Sequence, residues 1–336
     1  MSNDDVCFKT QFKDKIFSLS GKDEFEEAAL ELFNYQSRNC LTYKAFLHHL
    51  GVTSDSVNTL EEIPFLPIEM FKKHKVVTKP FGKTELLFRS SGTTKEQTSH
   101  HYVADASLYR KSLSKSFFDC WGAPSNYVFL ALLPDYLERQ DASLVWMVNE
   151  LMKEAGNEES GFYLDNLGEL KRKIDFLKEG ECNLMLIGVS FALLDLAEQH
   201  RVNLGGHIVM ETGGMKGRRK EMIREELHNR LKIGLGVNRV ASEYGMTELL
   251  SQAYASDEGK FQFPNWAGVF VRDPYDPLSI LGKNRTGGLN IIDLANIDSC
   301  AFIATDDIGI KRDENSFEVL GRFDNSDIRG CNLLFD

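Results

Sequence analysis

Two short segments concentrate the side chains able to handle a phosphorylated ligand. Ser90-Ser91-Gly92-Thr93-Thr94 follows the apolar, strand-like run Leu86-Leu87-Phe88, and Tyr244-Gly245-Met246-Thr247-Glu248 comes much later in the chain. The first is a run of small and hydroxyl residues that lets backbone N–H groups approach an anion closely. The second sets a hydroxyl beside a carboxylate, a pairing suited to a phosphate held together with a divalent cation. Ser/Gly/Thr runs are also ordinary turns; the two segments together predict a nucleoside triphosphate site. Nothing fits G-x-x-x-x-G-K-[ST], so the first segment is not a P-loop. Lys95, directly after Thr94, is either a phosphate contact or a surface lysine.

Two further segments suit the rest of a nucleotide. Glu211-Thr212-Gly213-Gly214-Met215 follows the apolar run His207 to Met210. Its paired glycines would let backbone lie flat against a planar base, and a turn leading into a helix explains them almost as well. Thr305-Asp306-Asp307-Ile308-Gly309 follows Ala301-Phe302-Ile303-Ala304. A carboxylate there can accept two hydrogen bonds from a ribose diol, or be a simple turn aspartate. Gly321-Arg322-Phe323-Asp324 adds an arginine suited to a ribose or phosphate oxygen.

The elements that must position these groups follow from periodicity. Residues 1–80 read as helical and amphipathic, with Phe25, Ala28, Ala29, Leu32 and Phe33 on one face at 3-and-4 spacing. Pro64 and Pro67 then mark an extended connector. From residue 81 to 260 apolar runs of strand length (Tyr127 to Leu133, Leu184 to Ile187, His207 to Met210) alternate with helical patterns. Those patterns cover Ser107 to Trp121, Leu144 to Met152, Leu167 to Leu177, Phe191 to Gln199 and Lys220 to Leu231. Alternation of this kind predicts an α/β core with largely parallel sheet flanked by helices. Residues 261–336, punctuated by Asp273-Pro274, Asp276-Pro277 and Gly287-Gly288, predict a small β-rich closing subdomain. Ligands in such sheets sit where strands end, which is where the Ser90 to Thr94 loop is expected.

Composition narrows the partners. With 336 residues and 42% hydrophobic content, a large core is expected. A formal charge of −11 argues against a nucleic-acid backbone as main partner. The basic run Lys216-Gly217-Arg218-Arg219-Lys220 precedes Glu221, Glu225 and Glu226 and reads as a solvated helix start. The charged N-terminus has no apolar h-region, and no stretch approaches the about 18–20 apolar residues of a membrane span. Six scattered cysteines without a CxxC pair fit a reducing cytosol rather than a disulfide framework or zinc site. A cytoplasmic protein is therefore expected. His100 and His101, in a polar stretch, are expected at the surface without a role.

The ordered series Ser-Ser-Gly-Thr-Thr, Gly-Gly, Tyr-Gly-Met-Thr-Glu, Thr-x-Asp-x-Gly and Gly-Arg-x-Asp resembles the adenylate-forming superfamily of acyl- and aryl-CoA ligases over roughly residues 60–336. Members generally continue past Gly-Arg-x-Asp into a mobile lid with a catalytic lysine, whereas this chain stops at Asp336. That ending, with Arg329-Gly330-Cys331, together with Gly213-Gly214-Met215-Lys216 and Ile63-Pro64-Phe65-Leu66-Pro67, is similar to the acyl-protein synthetases of bacterial luminescence fatty-acid reductase complexes. The resemblance implies ATP and Mg²⁺, with Thr247 on the α-phosphate and Glu248 on the metal. It implies Ser90, Ser91, Gly92, Thr93 and Thr94 around the outer phosphates. Gly213, Gly214, Met215, Tyr244 and Gly245 would lie about the base and turn, with Asp307 and Arg322 at the ribose. A fatty or other carboxylic acid would be activated as an acyl-adenylate and passed to a thiol. Cys331 matches the family's acylated cysteine; a buried cysteine in a last strand is the other reading. The acceptor is otherwise coenzyme A or a carrier protein, with a reductase as possible partner. An inactive nucleotide-binding scaffold or sensor is the alternative from another class. Lys95-Glu96-Gln97-Thr98 departs from the usual Gly-x-Pro-Lys continuation, leaving the loop lysine without a clear counterpart.

Overall fold

The computed structural model describes residues 3–90, 98–133, 141–164, 166–180, 182–214, 219–220 and 222–323. Ser91, Gly92, Thr93, Thr94, Met215 and Cys331 lie outside these described residues. The chain divides into two compact units, Thr84–Pro264 and Met1–Lys83 with Asn265–Asp336.

In the unit Thr84–Pro264, five parallel strands run in the order Gly161–Tyr163, Tyr127–Leu132, Asn183–Val189, Ile208–Thr212, Ala241–Tyr244. The two longest are nearly continuous apolar runs, as expected of strands buried on both faces. Helices Ala106–Trp121, Ser143–Ala155, Leu167–Leu177, Ser190–His200 and Arg224–Leu235 alternate with the strands. Local chemistry sets their ends. Asp105 accepts hydrogen bonds from the Ser107 and Leu108 amides, Asn166 accepts from Glu169, and Gly156 and Gly236 close two helices in the left-handed region. Two antiparallel strands, Ala253–Ala255 and Phe261–Gln262, extend the sheet. The strand order reverses beside Tyr127–Leu132, and crevices at such reversals open at the carboxyl ends of the strands.

Two expectations are corrected here. The segment after Phe88 does not end a strand of the parallel sheet. Leu86–Arg89 instead pairs antiparallel with His100–Val103 in a separate two-stranded ribbon, and residues 91–97 connect the two. The described residues of the basic run, Arg219 and Lys220, do not open the helix either. Arg219 is ion-paired with Asp195 and Glu198 of Ser190–His200, and the helix begins only at Arg224. There Glu225 and Glu226 occupy the first turn, where the helix dipole favours acids.

In the other unit, an antiparallel set in the order Ile280–Leu281, Ala267–Arg272, Thr286–Asp293, Phe302–Lys311, Ser316–Arg322 forms the sheet. The helix Lys22–Asn39 buries Ala28, Ala29, Leu32 and Phe33, and Phe33 and Tyr43 meet the Phe302 ring. A buried amide specifies the docking: Gln36 Nε2 donates to the Asn296 carbonyl (2.9 Å) and its Oε1 accepts from the Ala301 amide (2.9 Å). Satisfying both ends of a side chain that is 0% exposed allows one arrangement rather than a sliding apolar contact. Period-2 alternation along Phe302–Lys311 turns Thr305, Asp307 and Gly309 to the buried face.

Candidate functional site

Within Thr84–Pro264, parallel pairing decides where the predicted turns emerge. Met210 is in register with Ala241 and Glu211 with Ser242, so Ile208–Thr212 and Ala241–Tyr244 end side by side. Gly213-Gly214 leaves the first and Gly245 to Glu248 leaves the second, both at the carboxyl end of the sheet. Gly213 and Gly214 both hold positive φ, +71° and +68°, a pair of left-handed residues that side chains resist. Thr247 is half-buried at the turn and Glu248 is buried.

The ribbon joins this arrangement through a residue read as peripheral. His101 is 1% exposed, and its Nδ1 lies 2.8 Å from the Thr247 carbonyl, so the tautomer protonated at Nδ1 donates there. The surface reading of His101 is overturned: strand alternation in His100–Val103 puts His101 and Val103 inward, while His100 stays half-exposed. Period-2 burial against Val103 was the signal available. Ser90 and Ser99 meet beside the ribbon, with the Ser99 amide and hydroxyl each 2.9 Å from Ser90 Oγ.

Beneath the turns lie two buried carboxyls that sequence reasoning did not single out, on opposite faces of the sheet. Glu211 accepts from Ser190 Oγ at 3.0 Å, and its other oxygen is 3.6 Å from His228 Nε2 and 3.8 Å from Arg224 Nη1. Burial pushes its pKa up, but the His228 hydrogen bond, the Arg224 charge and a Ser242 hydrogen bond outweigh that and carry it to about 2. The Arg224 guanidinium also stacks over Phe261, 4.7 Å from its centroid. Glu243 accepts from Thr212 Oγ1 at 2.5 Å. Burial raises its pKa to about 7; the Thr212 hydrogen bond opposes this and the Glu211 charge adds to it.

In the other unit, Asp307 and Arg322 are cross-strand partners, with Arg322 Nε 3.2 Å from Asp307 Oδ1. Asp307 is 9% exposed while the Arg322 side chain is 69% exposed. The neighbouring Thr305 carbonyl is held by Arg272 Nη2 at 2.5 Å, and Arg272 Nη1 donates to Leu289 O and Asn290 Oδ1, both at 2.9 Å. Thus Thr247, Glu248, Gly213, Gly214, Tyr244, Gly245 and Ser90 belong to one unit, and Asp307 and Arg322 to the other.

Among the described residues, no group of three His, Cys, Asp or Glu side chains could hold a metal alone. Glu248 nevertheless offers a hard carboxylate donor, and Mg²⁺ is commonly held by one or two carboxylates with water and substrate phosphates supplying the rest. The residues present fit that cation.

No protein-family model matches the chain. Two curated relatives, each named long-chain-fatty-acid–luciferin-component ligase, are similar over nearly the whole length. The Aliivibrio fischeri protein is 23% identical over 98% of this chain and 92% of its own, and the Vibrio harveyi protein 22% over 99% and 95%. Among solved structures, 2-hydroxyisobutyryl-CoA ligase with 2-HIB-AMP and CoA superposes with a TM-score of 0.70 at 14% identity, covering 91% of this chain and 70% of that one. ATP-bound MatB from Rhodopseudomonas palustris gives a TM-score of 0.54 at 17% identity over 73% of this chain, which spans 50% of MatB. At these identities the likeness establishes the fold: a mixed α/β architecture similar to that of adenylate-forming ligases, with a small β-rich C-terminal region.

Proposed function

We propose that the chain uses ATP to activate a carboxylic acid as an acyl-adenylate and then passes the acyl group to a thiol. The observation that carries this is the convergence within one unit. The Gly213-Gly214 and Gly245 to Glu248 turns leave adjacent parallel strands at the same end, and His101, on the ribbon flanking residues 91–97, hydrogen-bonds the Thr247 carbonyl. The fold likeness and the names of the two curated relatives support the same chemistry, and those names favour a fatty acid as substrate.

In the first step a carboxylate oxygen forms a bond to the α-phosphorus of ATP as the bond to pyrophosphate breaks. Negative charge concentrates on non-bridging oxygens, so the protein's work is orientation and electrostatic stabilisation. Thr247 donates its hydroxyl to the α-phosphate. Ser90, Ser91, Gly92, Thr93 and Thr94 offer hydroxyls and amides to the outer phosphates. Glu248 would hold Mg²⁺, whose charge offsets that of the phosphate oxygens. Gly213, Gly214 and Met215 border the base, with Tyr244 and Gly245 shaping the turn beside it, and Asp307 with Arg322 takes the ribose hydroxyls. In the second step a thiolate attacks the acyl carbon, forming a thioester as the bond to AMP breaks. Cys331 is the proposed acceptor, with Arg329 two residues away favouring its thiolate. Among the described residues no helix is long and apolar enough to cross a membrane.

The test is pyrophosphate release across carboxylic acids from acetate to long-chain and aromatic acids, followed by intact-mass measurement. The reading expects acid-dependent release lost in Glu248→Ala, and a hydroxylamine-labile acyl adduct lost in Cys331→Ser. Release stimulated by free coenzyme A without an adduct would move the acceptor to CoA, as the CoA-bound structure of the similar 2-hydroxyisobutyryl-CoA ligase suggests. ATP binding without turnover on any acid would refute the enzyme.

A further inference from the structure

We propose that Glu243 is a positioning residue that locks the Gly213-Gly214 turn and the Thr247–Glu248 turn together as a neutral acid, so that its ionisation loosens nucleotide binding. This rests on the nucleotide-site reading above. Thr212, the last residue of its strand, donates to Glu243 Oε2 at 2.5 Å immediately before Gly213. On its other side, Glu243 Oε1 packs against Gly245: a Cβ added there would stand 2.5 Å from that oxygen. The second turn therefore closes directly over the carboxyl, and a side chain at 245 would have to displace it. One side chain, 7% exposed, therefore touches the root of both turns.

The surroundings do not favour a charge on Glu243. Its cross-strand partner is Tyr254, whose buried hydroxyl has no hydrogen-bond partner among the described residues and whose phenol burial keeps protonated. Tyr109 and Cys120, both on the helix Ala106–Trp121, also raise Tyr254. From the strand Ile208–Thr212 the charged Glu211 repels a second anion, and burial adds to that effect. Among the described residues Glu243 has no ion-pair partner. Ionisation would place a second negative charge beneath turns proposed to receive phosphates, in a site where water screens little.

The experiment measures ATP affinity by calorimetry from pH 6 to pH 9 for the wild type and Glu243→Gln, with unfolding followed at each pH. Gln keeps a carbonyl to accept from Thr212 but carries no titrating proton. The wild type should bind ATP about tenfold more weakly at pH 9 than at pH 6, as an added like charge in a poorly screened site requires. Glu243→Gln should vary by less than about twofold over that range, because it gains no charge. Glu243→Leu, which removes the acceptor, should raise KM for ATP at every pH while leaving kcat nearly as in the wild type. Wild-type binding that is flat with pH, or a Gln variant that follows the wild-type curve, overturns this proposal and leaves the nucleotide reading standing. Failure of the folded wild type to bind ATP even at pH 6 overturns the reading itself and the proposal with it.

Discussion

Replacing Glu211 by Gln should make the protein less stable at neutral pH and remove part of its acid sensitivity. The folded carboxyl titrates at about 2 instead of 4.5, a displacement of two and a half units. At about 1.36 kcal/mol per unit, that is about 3 kcal/mol of stability. The direction follows from proton uptake. As pH falls below 4.5 the unfolded chain takes up the proton first, so the contribution is complete above 4.5 and lost as pH drops towards 2. Its source is concrete: the ionised form faces His228, Arg224, Ser190 and Ser242, and the neutral amide cannot answer the Arg224 charge. Urea unfolding at several pH values between 7 and 2 would measure it. The Gln variant should be about 3 kcal/mol less stable at pH 7, and the two stability curves should converge near pH 2. A difference that stays constant across that range would refute the account, because it would show a packing or hydrogen-bond defect with no linked proton.

Glu243→Gln should do the reverse: with a folded pKa of about 7, the native state holds the extra proton from pH 4.5 to 7. The variant should therefore gain about 3 kcal/mol over wild type at pH 8 and nothing at pH 4, as read by the same unfolding curves. Gly214→Ala should lose about 1–2 kcal/mol from its left-handed backbone alone, since a Cβ there meets nothing within 4 Å; ATP affinity should fall with it. Arg322→Ala should change stability by less than about 1 kcal/mol, because the partner of Asp307 is largely exposed. Its KM for ATP should nevertheless rise in a steady-state assay, and an unchanged KM would remove Arg322 from the ribose. His101→Leu should cost about 1–3 kcal/mol by leaving the Thr247 carbonyl unsatisfied, and it should lower kcat for pyrophosphate release more than it raises KM.

What could be seen in the sequence was what local rules write there. Leu167–Leu177 falls where its 3-and-4 spacing puts it, and the apolar runs at Tyr127–Leu132 and Asn183–Val189 are strands of the expected α/β core. The motif turns were visible because small residues, hydroxyls and paired glycines announce an unusual backbone within a few positions. Ala241–Tyr244 was not visible as a strand. It is only four residues long, and Ser242 and Glu243 interrupt any apolar signal. Those two polar side chains are tolerated because His228, on the preceding helix, and Thr212, on a neighbouring strand, answer them. His101 was misread for the same reason: a polar neighbourhood along the chain says nothing about the Thr247 carbonyl that topology brings to it. A buried carboxyl or imidazole needs a partner, and when that partner comes from another element, neither composition nor period records the match. The groups that shape a site are therefore readable in its turns, while the groups that hold those turns together become readable only once the strands are ordered.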